Sequence, residues 1–272
     1  MTTILAMPAT RPVKVTQLRV ITSEWTKLRS LRSTVWTLLI GITLMIGIGA
    51  LITAVNASQY HTFNAANRAA FTAIGSSLAG VTFAQLAFGV LGVLVISGEY
   101  STGMIRSSLT AVPARLPVLW AKLAVFAAVV FTLSLTASFT SFSIGQAILS
   151  GHHLSVSLTA PGAVRSVVGA AGYLTLAGMI GVAIGALLRN SAGGISAFVG
   201  TFFVIPPLTM LLPDSVSNHL IQYLPSNAGA SMYDGATRLT SALSPTAGTA
   251  VLAVYTVVLI AAAASRLQRK DA

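Results

Sequence analysis

Between Arg32 and Arg68 the chain has no Asp, Glu, Lys or Arg. The same holds between Arg68 and Glu99, Lys122 and Arg165, Arg165 and Arg189, Arg189 and Asp214, and Arg238 and Arg266. A helix needs about 20 apolar residues to cross a hydrocarbon core roughly 30 Å thick, and all six intervals are long enough. Lipid offers no water to the peptide groups, so only helices or closed barrels can span it. These runs are continuously apolar, without the alternation over about ten residues that marks barrel strands. The fold class that follows is all-α integral membrane. Six transmembrane helices are expected at about 33–55, 71–97, 118–148, 166–188, 192–212 and 246–265, making one membrane domain over 33–265. The third run exceeds what a bilayer requires and should tilt or project. Only 8% of residues are charged, against the roughly 25% with which a soluble domain covers its surface.

Orientation follows from the cations. With the N-terminus in the cytosol, thirteen of the sixteen Lys and Arg residues fall inside, leaving only Arg68, Arg165 and Arg238 outside. Both termini are then cytosolic, and so are the 98–117 segment and a basic tail at 266–272. The net charge of +11 needs no nucleic acid to explain it, because these cations sit beside helix ends where anionic headgroups already attract them. No cleavable leader is expected, since the first 32 residues contain no short apolar core.

Residues 1–14 have no periodicity. From there Val15, Leu18, Ile21, Trp25, Leu28 and Leu31 recur every three or four residues, while Arg19, Lys27, Arg29 and Arg32 fall off that stripe. This pattern predicts an amphipathic helix lying in the membrane interface, with Trp25 at headgroup level; residues 1–32 form a cytosolic tail and elbow. Farther on, Ala177, Gly181 and Gly185 make a small-residue ladder at four-residue steps, as do Ala137, Ser141 and Gly145, and both read as packing seams. Pro206 and Pro207 should kink or unwind the fifth span. The 213–245 segment is too long for plain loop, and Leu220, Ile221, Tyr223 and Leu224 suggest a short helix turned back toward the membrane.

Catalysis finds no support. The acids are Glu24, Glu99, Asp214, Asp234 and Asp271, no two on one helix face; His61, His152, His153 and His219 lack metal-ligand spacing; there is no Cys. No metal site is expected. An ion-coupled transporter usually keeps ionisable groups inside its spans, where this chain offers at most the amides Gln85 and Gln146. No ring of charges or filter motif suggests a channel. Work done by such a bundle has to come from outside the lipid.

The 96–123 stretch, ISGEYSTGMIRSSLTAVPARLPVLWAKL, interrupts the apolar pattern with Glu99, Arg106, Arg115 and Lys122. Ser101 or Thr102 can cap a short helix through Met104, Ile105, Ser108 and Leu109, terminated by Pro113. Ile105 and Leu109 then form one apolar edge, a shape suited to a groove on a soluble partner.

At these residues the chain resembles the permease subunits of bacterial ATP-binding-cassette exporters of the type-2 class, in an actinobacterial-like form. The pattern is a Glu leaving span two, then Thr-Gly, Leu, Pro and Arg, and a Lys entering span three. Here it reads Glu99, Thr102-Gly103, Leu109, Pro113, Arg115 and Lys122, with Pro113 and Arg115 closer together than is usual. SEWTKLRSLRSTVWTLL at 23–39 and YLPSNAG at 223–229 extend the resemblance over nearly the whole chain. It implies an exporter in the cytoplasmic membrane, of the kind that expels drugs, antibiotics or other amphipathic cargo. Two permease chains, alike or different, would assemble with two nucleotide-binding ATPase subunits, which hold the ATP and Mg. This chain has no Gly-Lys pair, hence no phosphate-binding loop of that type, and would itself bind no cofactor. The resemblance further implies that residues 101–109 are the coupling helix, docked with the help of Glu99 and Arg106, and that the elbow acts as a lever. A passive channel or an anchoring or sensing subunit that uses no ATPase is the alternative. Phe126, Phe131, Phe139 and Phe142 are expected along the cargo cavity.

Overall fold

The structure is a computed structural model that describes residues 16–104, 115–234 and 242–269. Among these the chain is helical, with no strand. The helices are α1 (Gln17–Ser30), α2 (Arg32–Gln59), α3 (Ala65–Ala70), α4 (Ala73–Ser77), α5 (Val81–Ser101) and α6 (Arg115–Ser150). They continue as α7 (Ala163–Leu188), α8 (Ser191–Val199), α9 (Ile205–Thr209), α10 (Asp214–Leu220), α11 (Pro225–Ala230) and α12 (Pro245–Arg269).

Among the described residues six helical stretches are long and apolar enough to cross a membrane, and the chain is a multi-pass membrane protein. They are Arg32–Thr62, Val81–Ser101, Leu116–Ser150, Ala163–Leu188, Ser191–Thr209 and Pro245–Arg269. At about 1.5 Å per residue, α6 is roughly 54 Å long, well beyond one bilayer core.

α7 occupies the centre. Its most apolar window is 72% buried, against 22–28% in the first, fifth and sixth spans. Small residues make that position possible. A Cβ on Gly92 of α5 would overlap the Gly178 carbonyl, and one on Gly181 of α7 would overlap that of Gly89. A Cβ on Gly185 would lie 2.7 Å from the Val93 carbonyl, while Ala177 is fully buried. The helices therefore cross almost backbone to backbone, which in lipid, where burial of apolar surface gives little, supplies the contact energy. Phe126 and Phe142 are core residues, whereas Phe131 and Phe139 are exposed on the outer face of α6. The four do not line one cavity as expected, because their helix turns two of them into the bundle and two away from it.

The second span departs from the expected continuous helix over 71–97. It descends as α4, breaks at Leu78–Gly80, and resumes as α5 through Ser101. At the break Gly80 lies so close to the Met45 carbonyl of α2 that no Cβ could be accommodated. The freed peptide groups find side chains on α6. Ser141 Oγ donates to Ser77 O at 2.7 Å, and Gln146 Nε2 donates to Ala73 O at 3.2 Å and to Ser77 Oγ at 3.0 Å. Irregular backbone at membrane depth is tolerated where protein surrounds it. Gln146 is thus a backbone partner of the break, its Oε1 also accepting from Val156 N at 2.8 Å.

The fifth span is distorted upstream of its prolines. Gly200–Val204 form a wide π-turn between α8 and α9, with Pro206 and Pro207 in the first turn of α9. Proline offers no N–H to the preceding turn, and a π-turn is a common local answer to a broken hydrogen-bond ladder. The segment after it folds back as α10, a 3-10 turn at Ile221–Tyr223, and α11. Ile221 is buried while Leu220 and Tyr223 are exposed. Gly229 packs against the Tyr173 ring and the Met232 carbonyl against Gly169, so α11 reaches down the side of α7.

Candidate functional site

At the end of the bundle that carries α1, four charged residues from three helices meet. Lys122, near the start of α6, donates to Glu24 Oε2 of α1 at 2.6 Å and to Glu99 Oε1 of α5 at 2.9 Å. Lys27 of α1 donates to Glu24 Oε1 at 2.6 Å and to Glu99 Oε1 at 3.1 Å. Side-chain exposure is 4% for Glu24, 7% for Glu99 and 3% for Lys122, but 24% for Lys27. The four charges cancel. Burial by itself would lower the Lys27 pKa, yet the hydrogen bond to Glu24 and the charge of Glu99 outweigh it, and the ammonium is held above the ordinary value of 10.5.

Local structure sets this geometry. Leu31 is extended between α1 and α2, which allows α1 to fold against α6 and reach Glu99 of α5 through Lys27 instead of prolonging α2. Val20, Glu24 and Leu28 then face inward, and Val20 packs with Val118 and Ala121. Of the predicted elbow stripe, Leu28 is buried and Ile21 half-buried, while Leu18 and Trp25 point outward, 75% and 48% exposed. The face that docks on the bundle thus carries Val20, Glu24 and Leu28, and part of the apolar stripe is left on the outside. Ion pairing rotates Glu24 and Lys27 inward, and leaves Leu18 and Trp25 facing the surrounding medium.

α5 ends just beyond the cluster. Ser101 is in its last turn and Thr102 is its C-cap, both hydroxyls donating to Gly98 O at 2.9 Å, and Gly103 turns the chain with φ at +72°. Both hydroxyl hydrogens thus go back to α5; Met104 is again helical, and the rest of the helix expected through Leu109 lies outside the described residues. Met104 is exposed. Ile105, Arg106, Leu109 and Pro113 lie outside the described residues, as does the Arg115 side chain.

Elsewhere α5 is fastened to the α7–α8 turn. The Arg189 guanidinium sits 5.0 Å from the Tyr100 ring centroid, and Ser97 Oγ pairs with Ser191 Oγ at 2.8 Å. Arg189 itself adopts left-handed φ of 54° as it closes α7, and Asn190 caps α8 through Gly193 N at 2.8 Å. The 102–114 segment thus leaves a helix that is pinned on two sides and re-enters beside the same cluster.

Sequence reasoning found Glu99 and Lys122 but missed their partners Glu24 and Lys27, as well as Tyr100 and Arg189. One signal was available. In so apolar a chain a buried acid needs a cation, and Glu24 and Glu99 are the two acids placed near Lys27 and Lys122 by the six-span count.

At the opposite end, a cavity of about 820 Å³ opens among α5, α7, α9 and α11, with Asn56, Gln85, Tyr173, Arg165 and Asp234 among its walls. Tyr173 donates its hydroxyl to Gln85 Oε1 inside the bundle. Among the described residues no three His, Asp or Glu side chains gather as metal ligands would. No protein-family model matches the chain, and neither does any curated protein.

Proposed function

We propose that this chain is the membrane-spanning subunit of an ATP-binding-cassette exporter, moving an amphipathic or hydrophobic cargo across the bacterial cytoplasmic membrane. A separate nucleotide-binding subunit supplies the energy, binding the ATP and Mg that this chain has no loop to hold. The chain itself catalyses nothing. Two such membrane chains, identical or different, stand side by side in lipid, with both termini and the α1 end in the cytosol.

The observation that carries this reading is the charge cluster. Its members bracket the 102–114 segment, Glu99 just before and Lys122 just after; Lys122 is bonded directly to Glu24 of α1, and Glu99 is joined to Glu24 through Lys27 and Lys122. A soluble partner pushing on that segment would move α5, α6 and the elbow together, because shifting any one alone exposes an unpaired buried charge. Breaking such a pair costs about 3–5 kcal/mol, a large resistance to independent movement. The Gly-seamed crossing of α5 on α7 would carry that motion into the centre of the bundle, toward the far-end cavity. Met104, exposed beside Gly103, begins the surface offered to the partner, with Ile105, Arg106, Leu109, Pro113 and Arg115 following.

Replacing Met104 and Ile105 together by Asp tests this. In vesicles containing the chain and its ATPase, the double variant should insert normally, yet lose ATP-driven transport and cargo-stimulated hydrolysis. Transport at the wild-type rate contradicts the assignment of the coupling segment. Purification that recovers no nucleotide-binding subunit favours an ATPase-independent channel or anchor instead.

A further inference from the structure

The far-end cavity of about 820 Å³ lies between α2, α5, α7 and the π-turn of the fifth span. Its size falls within the roughly 300–1,000 Å³ of small-molecule sites. Much of its wall is hydrocarbon, with Ile52, Phe83, Phe202 and Phe203 among the lining residues. Gln85 is the buried exception, 3% exposed in the second turn of α5. Tyr173 fixes the orientation of its amide. That phenol is 1% exposed, and among the described residues its one acceptor is Gln85 Oε1. A buried hydroxyl finds an acceptor for its hydrogen, so Oε1 is turned toward Tyr173 and Nε2 away from it. Nε2 meets no acceptor among the described residues. Ser226 Oγ in the same wall also lacks a partner but is sealed from the cavity, whereas Nε2 is not sealed.

The other polar walls make weaker demands. Asn56 and Asn227 are only half-buried and already donate, to Ser76 Oγ at 3.0 Å and to Ile221 O at 2.9 Å. Arg165, which is exposed, and Asp234, half-buried, bring one charge of each sign, so the lining charges select neither an anion nor a cation. We infer that this cavity binds an apolar molecule whose buried end carries a neutral acceptor, a ketone, ester or amide carbonyl, that takes a hydrogen from Gln85 Nε2. A carboxylate would match the donor, but a single neutral amide offsets little of the cost of burying its charge. Two sources share this chemistry, the ester group of a surrounding lipid and a carbonyl-bearing cargo. For the second the inference rests on the exporter reading and names the class of its substrate.

The test uses the full chain alone, without an ATPase, in nanodiscs with tritiated benzophenone, a neutral ketone between two phenyl rings that crosslinks on irradiation. Labelling should saturate at one per chain and map to the peptides that line the cavity. Unlabelled benzophenone should compete about tenfold better than diphenylmethane, the same skeleton without the oxygen and so without one hydrogen bond to a buried donor. Gln85→Met/Tyr173→Phe removes the donor together with the phenol it would orphan, and the two competitors should then be equal. Thr82→Trp, which fills the cavity from an exposed position, should abolish saturable labelling. Replacing ester lipids by dialkyl ether lipids separates the sources: tighter benzophenone binding identifies a lipid ester as the resident, and unchanged binding identifies a cargo. Equal competition by diphenylmethane on the wild-type chain, or saturable labelling that survives in Thr82→Trp, overturns the inference. Either result leaves the exporter proposal standing, just as a missing ATPase partner leaves the cavity standing.

Discussion

Lys122→Met removes the best-buried member of the charge cluster while keeping much of its volume. Glu24 and Glu99 are then left sharing Lys27, which is 24% exposed and 3.1 Å from Glu99. A buried charge stripped of its partner costs about 3–5 kcal/mol. Because Lys122 is only 3% exposed, solvent screening takes little from that figure. Near 298 K the upper half of this range shifts the docked–undocked equilibrium of α1 by roughly a thousandfold. The double variant Glu24→Met/Lys122→Met behaves differently: it removes one charge of each sign and leaves the Lys27–Glu99 pair. Replacing a buried pair by apolar residues of similar volume is close to neutral, so the double variant should regain all but about 1 kcal/mol. Titration with SDS from mild detergent micelles, followed by Trp25 emission on α1, measures both. A single variant as benign as a surface substitution, or a double variant as damaging as the single, refutes the assignment of the cluster as the clamp on α1.

Gly181→Leu at the α5–α7 crossing should cost at least 1–3 kcal/mol, the usual penalty of overpacking, and lower the thermal midpoint in detergent. Gly47→Ala on α2, where a Cβ meets nothing within 4 Å, should be neutral or slightly stabilising. Ser141→Ala removes the donor to Ser77 O at the break in the second span and should cost about 1–3 kcal/mol, with amide exchange increased around Leu78–Gly80. Lys27 has a folded pKa above 10.5, so its contribution is complete below that pH and disappears as the pH rises through the folded value. The thermal midpoint should therefore fall in alkali beyond about pH 10.5, the free-lysine value, by an amount that Lys27→Gln does not show.

Membrane spans are legible in a sequence such as this because each is a local property: a charge-free run of sufficient length needs no knowledge of its neighbours. The break at Leu78–Gly80 is not local. Ala79 and Gly80 continue an apolar run, and the residues that satisfy the opened backbone, Ser141 and Gln146, lie more than 60 positions away. The elbow shows the same limit. Its amphipathic character is plain in Leu18, Trp25 and the cations between them, but which face docks is decided by Glu99 and Lys122, 72 to 98 residues farther on. Tyr100 and Arg189 carried no pattern of their own; their meeting depends on how α7 ends.

The central claim is that the segment bracketed by Glu99 and Lys122 faces the cytosol, where a soluble motor can push it. The chain has no native Cys, so a single cysteine at position 104 reports its side of the membrane without interference. A membrane-impermeant maleimide should label Met104→Cys in inverted vesicles and in permeabilised cells, and leave it unmodified in intact ones. Labelling in intact cells places that end of the bundle outside and contradicts the account.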